Sequence, residues 1–250
     1  MSESATTPAK TRLLVSVEEA LDRARRFGKS MVAFSRSGTT HERIGVIERV
    51  ERDADGIRLS GTHHASRIMP SAVASIEVDR SNKMKDTVYP RLDFRDASGQ
   101  AVFAVVGFEG LLPFDAALAG CKEEALPALE PEPKLRPMPA ANAATPVPLP
   151  FDALQIAQQS GAEVMIRHGM EGFTQEWRGR VGQLKPAMGF LNIIDPDFHL
   201  HLKDGSLSAW QQEKAADDSN EITFVALDTD GKPTGLTISG PASAFTTSGR

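Results

Sequence analysis

A chain of 250 residues with 40% hydrophobic content can bury a sizeable core, as one large domain or two small ones. Its net charge of −5 is uneven: residues 151–250 hold 8 Lys or Arg against 13 Asp or Glu, which argues against general nucleic-acid binding, since that needs a clustered basic face. Cys121 is the single cysteine, which excludes an intramolecular disulfide and a cysteine-based zinc cluster, and the lack of an apolar run of about 18 residues argues against membrane insertion.

Residues 1–11 are small and polar and read as a flexible tail, without the apolar segment of a signal peptide, so a cytoplasmic location is expected. Ser16 with Glu19 three residues on predicts a capped helix, with Val17, Ala20, Leu21, Ala24 and Phe27 on its apolar side and Gly28 as its stop. Short strands follow at Met31 to Phe34, Arg43 to Val50, Ile57 to Ser60, Ser66 to Met69 and Ala72 to Val78. Arg91 to Arg95 and Ala101 to Val106 flank the turn Asp96 to Gly99, a hairpin by its turn chemistry. Phe114 to Leu118, closed by Gly120, predicts a short helix. Residues 122–150 then carry eight of the sixteen prolines, a composition that reads as an extended linker.

Beyond the linker the pattern returns. Asp152 with Gln155 opens a helix that Gly161 closes, Val164 to Ile166 parallels Met31 to Ala33, Gln175 to Gly179 parallels His41 to Gly45, and Asp228 to Gly231 parallels Asp96 to Gly99. The offsets stay between 132 and 134 residues. Two similar units are expected, 12–121 and 151–250, each an antiparallel β-sheet with a helix at its start, packed as a pseudo-twofold pair in an α+β fold. His41, Glu42, Gln175 and Glu176 read as surface residues at a polar entry into a strand.

The most informative stretch is Gly189 to Trp210, which holds three strand-like runs and reads as an antiparallel meander. Apolar and polar residues alternate from Phe198 to Leu202, so Phe198, Leu200 and Leu202 should face one side and His199 and His201 the other. Two imidazoles so placed have Cα atoms about 6.5–7 Å apart and could share a metal, provided an acidic or histidine residue joins them. No Walker, Rossmann, Gly-x-Ser-x-Gly or His-Glu-x-x-His pattern occurs.

Phe190-Leu191-Asn192 through Asp195-Pro196-Asp197-Phe198-His199-Leu200-His201-Leu202-Lys203, followed by Trp210, Lys214 and the run Phe224 to Gly231, resembles the signature of the haem-utilisation proteins of the HemS and ChuX type, the hemin-degrading factors. The HemS type is a tandem repeat, as this chain reads, although each half here is shorter by a helical segment. The resemblance implies a cytoplasmic haem-binding protein of bacterial iron acquisition that carries, stores, delivers or degrades haem b, with a haem importer or a haem-degrading enzyme as partner. It places His201 at haem, as iron ligand or propionate donor. Arg67, which falls in the place of His201 in the first half, and Lys214 become candidate propionate partners; His199, His168 and His64 are further candidate contacts. His199 stands where the family pattern has asparagine, and the family's basic ending is replaced by Gly240 to Phe245. A regulatory or scaffold protein that keeps the fold without haem and binds a protein partner is the alternative. The oligomeric state stays open.

Overall fold

The structure, a computed structural model, describes residues 9–84, 86–126, 152–213 and 220–246. The linker, apart from its first residues, lies outside them, as does Lys214. Ser16 Oγ accepts from Glu19 N at the start of helix Val17–Ala24, and Asp152 Oδ1 accepts from Leu154 N and Gln155 N at the start of helix Ala153–Ser160. Each cap satisfies donors that a helix start leaves free. The third α-helix, Leu111–Leu118, begins earlier than its apolar run indicated.

The strands form two antiparallel sheets. The ten-stranded sheet runs Glu123–Ala125, Lys10–Leu13, Ser75–Asp79, Arg91–Arg95, Ala101–Gly107, Lys29–Arg36, Thr39–Val46, Phe198–Lys203, Phe190–Ile194, Lys185–Ala187. The eight-stranded sheet runs Ala209–Glu213, Glu221–Leu227, Pro233–Pro241, Glu163–Met170, Phe173–Arg180, Ala65–Ile68, Gly56–Ser60, Arg49–Asp53. Both cross the pseudo-twofold: three second-half strands complete the first sheet, and three first-half strands complete the second. The registers match across this relation, since His201 pairs with Thr40 as Arg67 pairs with Thr174, an offset of 134 on both sides. The two Asp-Gly hairpins are likewise built alike. Asp96 Oδ1 accepts from Ser98 N and Gln100 N, and Asp228 Oδ1 from Asp230 N and Lys232 N.

Several details differ from the sequence reading. Thr11, assigned to the tail, is buried in the Lys10–Leu13 strand, and Glu123–Ala125, assigned to the linker, pairs with that strand. Pro70–Ala72 is a 3-10 turn, so the next strand starts at Ser75. The meander of the informative stretch is Lys185–Ala187, Phe190–Ile194 and Phe198–Lys203, whereas Ala209–Glu213 leaves for the other sheet.

The inner faces of the two sheets enclose two cores. The first packs Leu21, Phe27, Phe94, Phe103 and Phe114 against Ile57, Leu59 and Ile68, and takes in Phe173 from the second half. Phe94, Phe103, Phe173 and Phe34 stack in series with centroids 4.1, 4.8 and 5.0 Å apart; each such buried ring contributes roughly 2–3 kcal/mol. The second core holds Leu154, Ile166, Trp177, Phe198 and Leu200, with Trp177 stacked on Phe198 at 4.4 Å. Gln175 ties the sheets together. Fully buried, its Nε2 donates to the carbonyls of Val32 and His41, and its Oε1 accepts from Ser66 Oγ. Among the described residues no helix is long and apolar enough to cross a membrane.

Candidate functional site

The Phe198–Lys203 strand alternates as its sequence requires. Phe198, Leu200 and Leu202 are buried in the second core, while His199 and His201 lie half-buried on the outer face of the ten-stranded sheet. The hairpin at Asp195 to Asp197 sets the register on one side, placing Asn192 opposite His201 and Ile194 opposite His199. On the other side Thr39–Val46, from the first half of the chain, places Glu42 opposite His199 and Thr40 opposite His201.

The result is a compact cluster. Glu42 Oε2 is 3.1 Å from His199 Nδ1 and 3.6 Å from His201 Nε2, and the three residues' possible ligand atoms all lie within 4.8 Å of one another. Burial pushes the Glu42 carboxyl up, but the hydrogen bonds with His199 and His201, and their charge, outweigh it and bring it down to about 2. His201 Nδ1 lies 2.6 Å from Asn192 Oδ1, and the Asn192 amide nitrogen donates to the carbonyls of Lys185, Ala187 and Phe190. Phe190 and Ile194, on the same face as Asn192, leave apolar surface exposed beside the imidazoles.

The other expected site residues are elsewhere. Arg67 projects from the eight-stranded sheet, where Asp53 and Asp55 hold it at 3.2 and 3.5 Å. His64 is buried with Nε2 3.1 Å from the Gly45 carbonyl, and burial brings it down to about 4. His168 is fully buried, its ring edge-on to Phe34 at 4.5 Å; burial first, then the Arg36 charge, brings it down to about 3. Of the candidates named from sequence, the described structure brings together His199 and His201.

Two members of the cluster were missed. Glu42, read as surface, joins through a strand pairing that links residues 157 apart, for which one sequence carries no signal. Asn192 was reachable, because counting back across the Asp195 to Asp197 turn places it opposite His201. His41 and Gln175 were also read as surface and are both fully buried; Glu176 is half-exposed, beside Arg167.

Residues 135–233 match the model of a family described as the haemin-degrading HemS.ChuX domain. A comparison with curated proteins returns no match. Among solved structures, ChuS, described as an E. coli heme oxygenase, superposes with a TM-score of 0.71 at 17% identity, covering 96% of this chain and 84% of that one. Holo-PhuS, described as a heme-binding protein from Pseudomonas aeruginosa, superposes with a TM-score of 0.71 at 18% identity, covering 93% and 81%. ChuS of E. coli O157:H7, described as a heme degrading enzyme, gives 0.73 at 18%, covering 98% and 84%. The fold of this chain, an α+β pseudo-twofold repeat of antiparallel sheets, is therefore that of ChuS and PhuS.

Proposed function

We propose that this chain, whose fold is that of ChuS and PhuS and whose second half matches the HemS/ChuX domain, binds haem b on the outer face of its ten-stranded sheet, with His201 as iron ligand. The observation that carries the reading is the family match over residues 135–233, which spans the strand bearing His201. The local geometry fits it. Asn192 Oδ1 accepts the Nδ1 proton of His201 and so leaves the Nε2 lone pair for a ligand. Phe190 and Ile194 offer apolar surface on which a flat ring system can lie. Bound haem supplies a redox-active iron, and the protein's part is to hold and orient it. An open face favours carriage, storage or delivery over degradation, since chemistry at the iron profits from a site closed to water. The setting in this reading is the cytoplasm, with a haem importer upstream and a haem-degrading enzyme downstream.

One observation favours a second reading. Arg67 lies on the other sheet and already pairs with Asp53 and Asp55, so it offers no propionate partner at His201. A protein that kept the fold, lost haem and binds a protein partner fits that dispersal. A visible-absorption titration with hemin separates the two. A saturable one-to-one Soret band that weakens in His201→Ala supports haem at this face; non-saturating adsorption removes the haem reading and leaves the second.

A further inference from the structure

The cluster around Glu42 turns ring nitrogens of two histidines toward one carboxylate oxygen. The Asn192 amide nitrogen is committed to backbone carbonyls, so Oδ1 is the atom facing His201, and the His201 ring proton sits on Nδ1. The other ring nitrogen, Nε2, faces Glu42 Oε2 at 3.6 Å. His199 Nδ1 approaches the same oxygen at 3.1 Å. A carboxylate and two imidazoles arranged in this way create a place for a cation.

We propose that Glu42, His199 and His201 form a site for one bare divalent transition-metal ion of the zinc or ferrous-iron class. Two donors each about 2.1 Å from an ion, at roughly right or tetrahedral angles, lie about 3.0–3.4 Å apart. The two edges from Glu42 Oε2 are 3.1 and 3.6 Å and all the ligand atoms lie within 4.8 Å of one another, so rotations of the half-buried side chains can close them on the ion. His199 then ligates through Nδ1 and carries its ring proton on Nε2. Two imidazoles and one carboxylate on one side of an ion leave its remaining positions open to solvent, the arrangement of non-haem iron and zinc sites with exchangeable ligands. Asn192 is the positioning residue that fixes the His201 tautomer.

This inference goes beyond the haem reading. Three donors converging from one face cannot all reach an iron whose four equatorial positions a porphyrin fills. The two occupants share His201 and therefore exclude one another. The test is titration of tag-free, chelator-stripped protein with Co(II) and with Zn(II), followed by calorimetry and by the Co(II) absorption spectrum. One saturable ion per chain is expected. Glu42→Gln and His199→Asn should each weaken binding by more than the roughly 10–100-fold that an outer-shell change costs, and Asn192→Ala should fall within that range. Circular dichroism checks that each variant keeps its fold. Hemin titration of the wild-type protein tests the haem reading by itself, so the two ideas fail separately: a wild type that takes up the metal but shows no saturable hemin binding removes the haem reading alone. A wild type with no saturable site, or one whose affinity survives both Glu42→Gln and His199→Asn, overturns the metal site.

Discussion

Acid should destabilise this protein early and steeply, because three histidines are buried in neutral form. Burial lowers His41 well below the ordinary imidazole value, with His168 and Arg43 adding to it; His64 is brought to about 4 and His168 to about 3. In the unfolded chain each titrates near 6.5. Above that value neither state binds a proton at these sites, and stability does not depend on them. As pH falls below it, the unfolded chain takes up protons that the folded one refuses, so the three together remove up to about 4 kcal/mol per pH unit. Between about pH 7 and pH 5 the loss comes to roughly 5–6 kcal/mol, comparable with the whole stability of an ordinary domain. Glu42 works in a lower window. Its depressed value contributes stability that is present above 4.5 and is lost only as pH falls toward 2. Asp152 and Asp195, raised first of all by burial, act in the opposite sense near the bottom of the histidine window. Urea denaturation midpoints at several pH values measure the slope. His168→Phe is the informative variant, because its pseudo-symmetric counterpart is Phe34, which already packs edge-on against it. It should remove about 1.4 kcal/mol per pH unit from the slope. A flat wild-type profile, or one that His168→Phe leaves unchanged, would refute the reasoning.

Two further predictions concern the frame that carries the site. Gln175→Ala orphans the Ser66 hydroxyl and takes donors from the carbonyls of Val32 and His41 at a fully buried position, and should cost about 2–4 kcal/mol in chemical denaturation. Gly235 sits at φ 87° with the Gly169 carbonyl where a Cβ would go, so Gly235→Ala should lower stability by about 2–4 kcal/mol, read as a drop in Tm; an unchanged Tm would show that the strand yields without strain.

The local devices were legible. Ser16 and Asp152 cap their helices, Asp96 and Asp228 close equivalent turns, and the alternation around His199 and His201 gave the right faces, because each depends on residues a few positions apart. The 134-residue offset that equated Arg67 with His201 reappears in the strand register. What escaped was decided at long range. Nothing near Gln175 in the chain shows that Val32, His41 and Ser66 will surround its amide, and a polar side chain without visible partners reads as solvated. Glu42 was invisible for the same reason: the pairing of Thr39–Val46 with Phe198–Lys203 exists only after both halves are in place.

The continuity of both sheets across the two halves has a consequence for how the chain is made. On the ribosome the first half emerges with its own helices and core residues, but Thr39–Val46 and Ala65–Ile68 then stand as bare edges until residues 173–203 arrive to pair with them. These two edges are complementary, since each matches what the other's partner would be under the pseudo-twofold. During that interval two nascent chains on one messenger could join edge to edge in place of the intended pairing, and a half-length fragment would face the same choice permanently. Synthesis rate across the second half thus enters the folding of the first.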